Sequence, residues 1–161
     1  VGIYAHHVRH GTATFDTAPI SVGAMADKID GLLACGCPFL VSETDGLVTG
    51  YAYVAPFRDR PAYAATCEDS IYVDPACVGQ GVGRQLMRAL MEQASNCGFR
   101  QMIAVIGGGE PASVALHSKM GFTHAGRMRS VGRKFGRWLD TVYMQAELGE
   151  GDRSAPAREP A

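Results

Sequence analysis

The stretch Val78-Gly79-Gln80-Gly81-Val82-Gly83-Arg84 places three glycines in five positions between a strand and a helix, and no other feature constrains the fold as much. Upstream, residues 67–73 read as a strand that stops at Asp74-Pro75. Downstream, Leu86, Met87, Leu90, Met91 and Ala94 share one face of a helix that ends near Gly98. Glycines let backbone approach a ligand closely, and the free N–H groups of a helix start, backed by the helix dipole, favour a phosphate or pyrophosphate. The turn therefore implies a phosphate-bearing cofactor, against the alternative of a tight turn that holds nothing. A dinucleotide site needs G-x-G-x-x-G and an acidic residue about 20 positions on. Here the spacing is G-x-G-x-G, followed by the apolar residues 103–106, which disfavours NAD. The absence of G-x-x-x-x-G-K-[ST] disfavours ATP and GTP in the same way.

Around this unit the hydrophobic pattern switches period repeatedly, as in a mixed α/β domain without internal repeats. Ile3, Tyr4 and Val8 mark a short opening helix, and its His6, His7 and His10 read as a solvated face, because no carboxylate or cysteine completes a metal set. Ser21 is placed to cap a second helix carrying Met25, Ile29, Leu32 and Leu33. Residues 39–42 and 47–55 are β-like runs joined through Asp45-Gly46, a strong hairpin signal. Residues 56–63 carry two prolines and three charges and read as a loop. Residues 102–106 form an apolar strand, 111–120 a short helix closed by Gly121, and 140–148 a last strand. From Gly149 onward no large apolar residue occurs, and a disordered tail is expected. With 161 residues, 47% of them hydrophobic, one core and one domain are expected. A net charge of -1 argues against a nucleic-acid partner. No apolar run is long enough for a bilayer span and no signal peptide is evident, so a cytoplasmic protein is expected. Its five scattered cysteines are expected as reduced thiols.

The order Tyr72-Val73-Asp74-Pro75, Gly79-Gln80-Gly81-Val82-Gly83, amphipathic helix, apolar strand, short helix and Met120-Gly121-Phe122 resembles the GNAT N-acetyltransferases. Within them, Thr12-Ala13-Thr14-Phe15, the loop at 56–63, Glu68-Asp69-Ser70-Ile71-Tyr72-Val73 and Ala104-Val105-Ile106-Gly107 resemble the phosphinothricin and methionine sulfoximine acetyltransferase group. The resemblance implies the α/β (α+β) acyl-CoA N-acyltransferase fold over residues 1–148, a mixed central sheet flanked by helices. It also implies acetyl-CoA as cosubstrate, without a metal, and a homodimer. The pyrophosphate would lie on the amides of Gly79, Gln80, Gly81, Val82, Gly83 and Arg84, and the pantetheine arm along Ile71, Tyr72 and Val73. Three departures stand out. Val78 replaces the usual Arg or Gln, Glu110 takes the place of an Asn beside the cofactor, and the usual first strand is missing before the opening helix, through truncation or a different sheet edge.

Acetyl transfer to an amine needs a base, a donor to the developing oxyanion and a proton for the leaving thiolate. The resemblance places Glu68 as the base and the Val73 N–H as the oxyanion donor. His117 stands where a Tyr often protonates the thiolate, with a merely core role as the alternative. Phe15, Arg58, Arg60 and Tyr63 are the candidate acceptor contacts, since arginine forks match carboxylates and phosphinates. The expected acceptor is the primary amine of a small amino-acid-like molecule. Alternatives are a protein or peptide N-acetyltransferase, a CoA-binding module without catalysis, and thiol chemistry at Cys67. The last conflicts with Glu68, because adjacent strand residues face opposite sides. A basic run of Arg127, Arg129, Arg133, Lys134 and Arg137 is expected to face water, a partner or the acceptor site, and Trp138 to pack.

Overall fold

A computed structural model describes residues 1–157. The elements follow one another as α1 (Gly2–His10), α2 (Val22–Ala34), β1 (Phe39–Thr44), β2 (Leu47–Pro56), β3 (Thr66–Val73), α3 (Val82–Asn96), β4 (Gln101–Gly107), α4 (Pro111–Lys119), β5 (Thr123–Lys134) and β6 (Arg137–Glu147). Local chemistry accounts for several boundaries. The Ser21 hydroxyl accepts the Ala24 N–H at 3.1 Å and caps α2. Asp45 and Gly46 adopt φ of 51° and 78°, the paired left-handed conformation that closes a two-residue hairpin.

The strands form one sheet in the order β1-β2-β3-β4-β6-β5, with every neighbour antiparallel except β3 and β4. A parallel pair needs a crossover, and α3 supplies it. Gly50 of β2 lies under Leu86 and Val82 of α3, which fixes the face that α3 covers. Tyr51 points the other way and joins an aromatic layer of Phe39, Tyr53 and Tyr72, which Tyr4 of α1 meets edge-on and Lys28 of α2 covers. Thus α1 and α2 share one face. On the other, α3 and α4 touch through Gly83 and Leu116. Met87, Leu90, Ala94, Phe99 and Met102 are buried between α3 and the sheet.

Three expectations are corrected. Residues 123–134 were not expected as a strand, yet they form β5, and β6 begins at Arg137 instead of 140. The pairing register slips at 124–126 and 128–132, so the alternation that betrays a strand is broken there. Residues 149–157, expected as tail, fold back as turns. Glu150 lies 3.6 Å from Arg100, which also donates to Ser154 and the Ala155 carbonyl, and residues 158–161 lie outside the described residues. Finally, His7 is not solvated: its Nε2–H donates to the Val73 carbonyl at 2.8 Å and its ring packs on Tyr72.

Because Leu90 is fully buried at the centre of the α3 interface, Leu90→Ala is expected to cost roughly 2–5 kcal/mol through lost transfer energy and a residual cavity. Urea denaturation would measure this, with acetyl-CoA affinity as a check that the folded fraction keeps its site.

Candidate active site

The parallel ladder between β3 and β4 is short. It pairs residues 66–69 with 101–104 and then ends, while β3 stays paired to β2 up to Val73 and β4 stays paired to β6 up to Gly107. Each strand is held on its outer edge, and the inner edges part. The Asp74 N–H bonds back to Thr49 at 2.8 Å on the β2 side, whereas the Ala65 carbonyl turns toward β4. Strand alternation then directs the N–H groups of Ile71 and Val73 into the opening.

At the mouth of this opening stands the glycine turn. Gly79 and Gly81 adopt φ of 83° and 87°, and a Cβ at either would meet nothing within 4 Å, so the backbone is exposed from above. Gly81 is the N-cap of α3, with no side chain bonded to the first turn. The amides of Val82, Gly83 and Arg84 are therefore available to an anion, whereas the Gln85 N–H already bonds the Gly81 carbonyl at 3.0 Å. Val78 is exposed beside them.

A cavity of about 220 Å³ passes through the parting and is lined from both faces of the sheet. On the α1/α2 face lie Glu68, Ser70, Tyr72, Val105 and Gly107, together with Phe15 from the segment between α1 and α2. Glu68 is partly buried. Burial pushes its carboxyl above the ordinary carboxylate range, the nearby Arg58 charge pulls it down, and Asp69 adds to the rise. Arg58 itself lies over the Phe57 ring at 4.2 Å and donates to the Phe57 carbonyl at 2.9 Å. Arg60 and Tyr63 share with Arg58 and Asp59 a separate exposed recess. Phe15 and Glu68 thus meet in one cavity, Arg58 reaches Glu68 by its charge, and Arg60 and Tyr63 remain outside.

On the α3/α4 face, His117 and Asp69 are almost completely buried, with His117 Nε2 3.1 Å from Asp69 Oδ2. His117 Nδ1 lies 2.7 Å from the Ser113 carbonyl, which requires an N–H there. An imidazolium donating to both partners satisfies this geometry. Burial alone lowers the His117 pKa, but the Asp69 hydrogen bond and charge and the Ser113 carbonyl more than reverse this, leaving it raised. Asp69 Oδ1 is buried without a partner beside the cavity. Asp69 is not singled out by the sequence although it lies next to Glu68. Its partner is 48 positions away, and only the alternation of the strand hints that the two carboxylates serve opposite faces. Glu110 acts locally, since its carboxylate accepts the Ser113 N–H at 2.8 Å and caps α4. Cys67 is fully buried, away from the cavity.

The chain matches the acetyltransferase (GNAT) domain over residues 5–143. It is 48% identical over 155 residues to the phosphinothricin N-acetyltransferase of Alcaligenes faecalis, covering 96% of this chain and 79% of that protein. It is 40% identical over 148 residues to the L-methionine sulfoximine/L-methionine sulfone acetyltransferase of Salmonella typhimurium, covering 92% and 86%. Among solved structures, the GNAT superfamily phosphinothricin acetyltransferase of Sinorhizobium meliloti in complex with AcCoA superposes with a TM-score of 0.94. That pair is 44% identical, over 97% of this chain and 85% of the other.

The buried pair gives a pH prediction. His117 is raised above its ordinary 6.5, so the stability it contributes is fully present below that value and is lost as pH rises through the folded-state pKa. Asp69→Asn should therefore destabilise the protein more at about pH 6 than at about pH 9. It should also move the imidazole midpoint, followed by NMR, downward. Equal destabilisation at both pH values would show that the pair is not ionic.

Proposed function

The chain belongs to the GNAT acetyltransferase family and is an acetyl-CoA-dependent N-acetyltransferase; we propose that its acceptor is the primary amine of a small amino-acid-like molecule of the phosphinothricin, methionine sulfoximine or methionine sulfone type. The observation that carries this is a cavity through the sheet of about 220 Å³, lined by a carboxylate of raised pKa on one face and a histidine of raised pKa, bonded to Asp69, on the other. Its size suits a small molecule better than a peptide.

When bound, acetyl-CoA supplies the acetyl group activated as a thioester. The open glycine turn and the parted strand edge fit it: the amides of Gly79 and of Gly81 to Arg84 would take its pyrophosphate, the Gln80 N–H being bonded to the Cys77 carbonyl at 3.3 Å, and the backbone of Ile71, Tyr72 and Val73 its pantetheine arm. Glu68, on the acceptor face, takes the proton of the attacking amine. Its raised pKa brings a carboxylate nearer to the neutral range in which a base works best. The Val73 N–H, directed into the opening, donates to the acyl oxygen as charge develops there. His7 holds Val73 in place by bonding its carbonyl. On the opposite face, His117 holds the proton that the departing sulfur needs, and Asp69 keeps it there. Ser113 lines the cavity, and its hydroxyl lies 3.4 Å from the Nδ1–H that its own carbonyl accepts at 2.7 Å; a shift of that ring proton from carbonyl to hydroxyl would let the hydroxyl donate its own proton to the sulfur.

Phe15 forms a wall of the acceptor side, and Arg58 supplies positive charge beside Glu68. Arg60 and Tyr63, in the outer recess, are proposed to attract an acidic acceptor as it enters. The homodimer that the sequence resemblance implies and the cytoplasmic location expected from the sequence are proposed with it.

Release of free thiol from acetyl-CoA, measured with phosphinothricin, methionine sulfoximine, methionine sulfone, ordinary amino acids and a short peptide, tests the acceptor class. Turnover confined to the acidic amino-acid analogues and the sulfone is expected. Turnover of the peptide alone would overturn it. For the base, Glu68→Gln should lower kcat/KM at about pH 7 by about 100-fold or more, with a smaller loss at high pH, where the amine is already neutral. An unchanged pH profile would remove Glu68 from that role.

A further inference from the structure

We propose that Lys134 is a positioning residue for the acceptor, clamping residues 11–17, and with them Phe15, against the sheet; the proposal rests on the reading of Phe15 as an acceptor wall. Lys134 ends β5, only 5% exposed, and its ammonium donates to the Gly11 carbonyl at 2.9 Å and the Thr14 carbonyl at 2.8 Å. A buried ammonium is costly unless its donors are used, so a residue needed only for packing here would more cheaply be a methionine. Burial does lower the Lys134 pKa, while Asp16 opposes this from within the same segment.

The clamped segment has no helix or strand of its own, and it lies between Gly11 and Thr17. Its order comes from outside. Besides Lys134, the Tyr4 hydroxyl donates to the Asp16 carboxylate and lies against Thr14. The sheet leaves room for the segment by omitting side chains. A Cβ at Gly132 would sit 2.3 Å from the Phe15 ring, and one at Gly107 would sit 2.6 Å from the Thr12 carbonyl. Ala13, Thr14 and Phe15 line the cavity. All of these contacts lie on the α1/α2 face, opposite α3. The clamp therefore sets the acceptor side and leaves the cofactor side alone.

The test compares Lys134→Met, Lys134→Gln, Lys134→Arg and Gly132→Ala with the wild type. Lys134→Met should raise the acceptor KM about 10-fold or more and leave the acetyl-CoA KM within about twofold. Gly132→Ala, which pushes on Phe15 with Lys134 intact, should give the same split, and Lys134→Arg should recover part of the loss. Hydrogen exchange gives a readout that needs no turnover: amides of residues 11–17 should exchange faster in Lys134→Met, with those of α3 unchanged. Should Lys134→Met not fold, Lys134→Gln takes its place with the same expectations. Parallel rises in both KM values, or unchanged exchange at 11–17 in a folded variant, would overturn the clamp. Wild-type inactivity toward phosphinothricin, methionine sulfoximine and methionine sulfone alike would instead overturn the acceptor reading, and the clamp would still be decided by exchange and by the KM split on whichever amine is turned over.

Discussion

The parting of β3 and β4 is the constraint on which the rest of the molecule depends. Ending a ladder inside a sheet exposes backbone groups that normally cost free energy when unpaired. The cost is contained because each strand keeps its outer partner, Val73 against Gly50 and Gly107 against Thr141. One of the released groups, the Val73 carbonyl, is taken up by His7. The same parallel pairing demands a crossover that starts where β3 ends, so the free amides of α3 arise beside the free edge of β3. Two kinds of unsatisfied donor are thus brought together by topology, and an extended ligand with an anionic end can meet both.

Strand alternation then sorts the chemistry. Glu68 and Asp69 are neighbours in sequence, yet one serves the α1/α2 face and the other pairs with His117 beneath α4. Burial acts on both faces with opposite results. It raises a carboxylate that the Arg58 charge opposes without a hydrogen bond, and it fails to lower a histidine that has a carboxylate in contact. A carboxylate and a histidine, both with raised pKa, therefore line one cavity from opposite faces of the sheet.

Features written within a few residues were legible in the sequence. The glycine turn, the Asp45-Gly46 hairpin, the Ser21 cap and the stripe of α3 each depend on local chemistry, and the structure places them where that chemistry predicts. Glu68 was legible through its place in a motif, but its neighbour Asp69 was not, since its meaning comes from a helix 48 positions away. Glu110 was read as standing in for an Asn beside the cofactor, though a carboxylate three residues before Ser113, at a helix start, is also a local capping signal. Residues 123–134 were illegible as a strand because two register slips destroy the period of two. Lys134 was lost in a run of basic residues, and only the return of the chain across 120 positions shows that it is buried.

This division between local and distant signals runs through the site itself. The cofactor side is built from a turn and the helix that follows it, so a short stretch of chain carries its own instructions and its own electrostatics. The proposed acceptor side is assembled from α1, the segment after it, the ends of β3 and β4 and the β5–β6 hairpin, held by a lysine and a tyrosine, with two glycines that leave space for the segment and its ring. Such an assembly has no intrinsic preference for its shape, since the segment at its centre forms no helix or strand. Its geometry is set by contacts that can change one at a time without touching the donor turn. On the proposed reading, acceptor choice is thereby physically separable from cofactor binding, although both would meet within a single cavity.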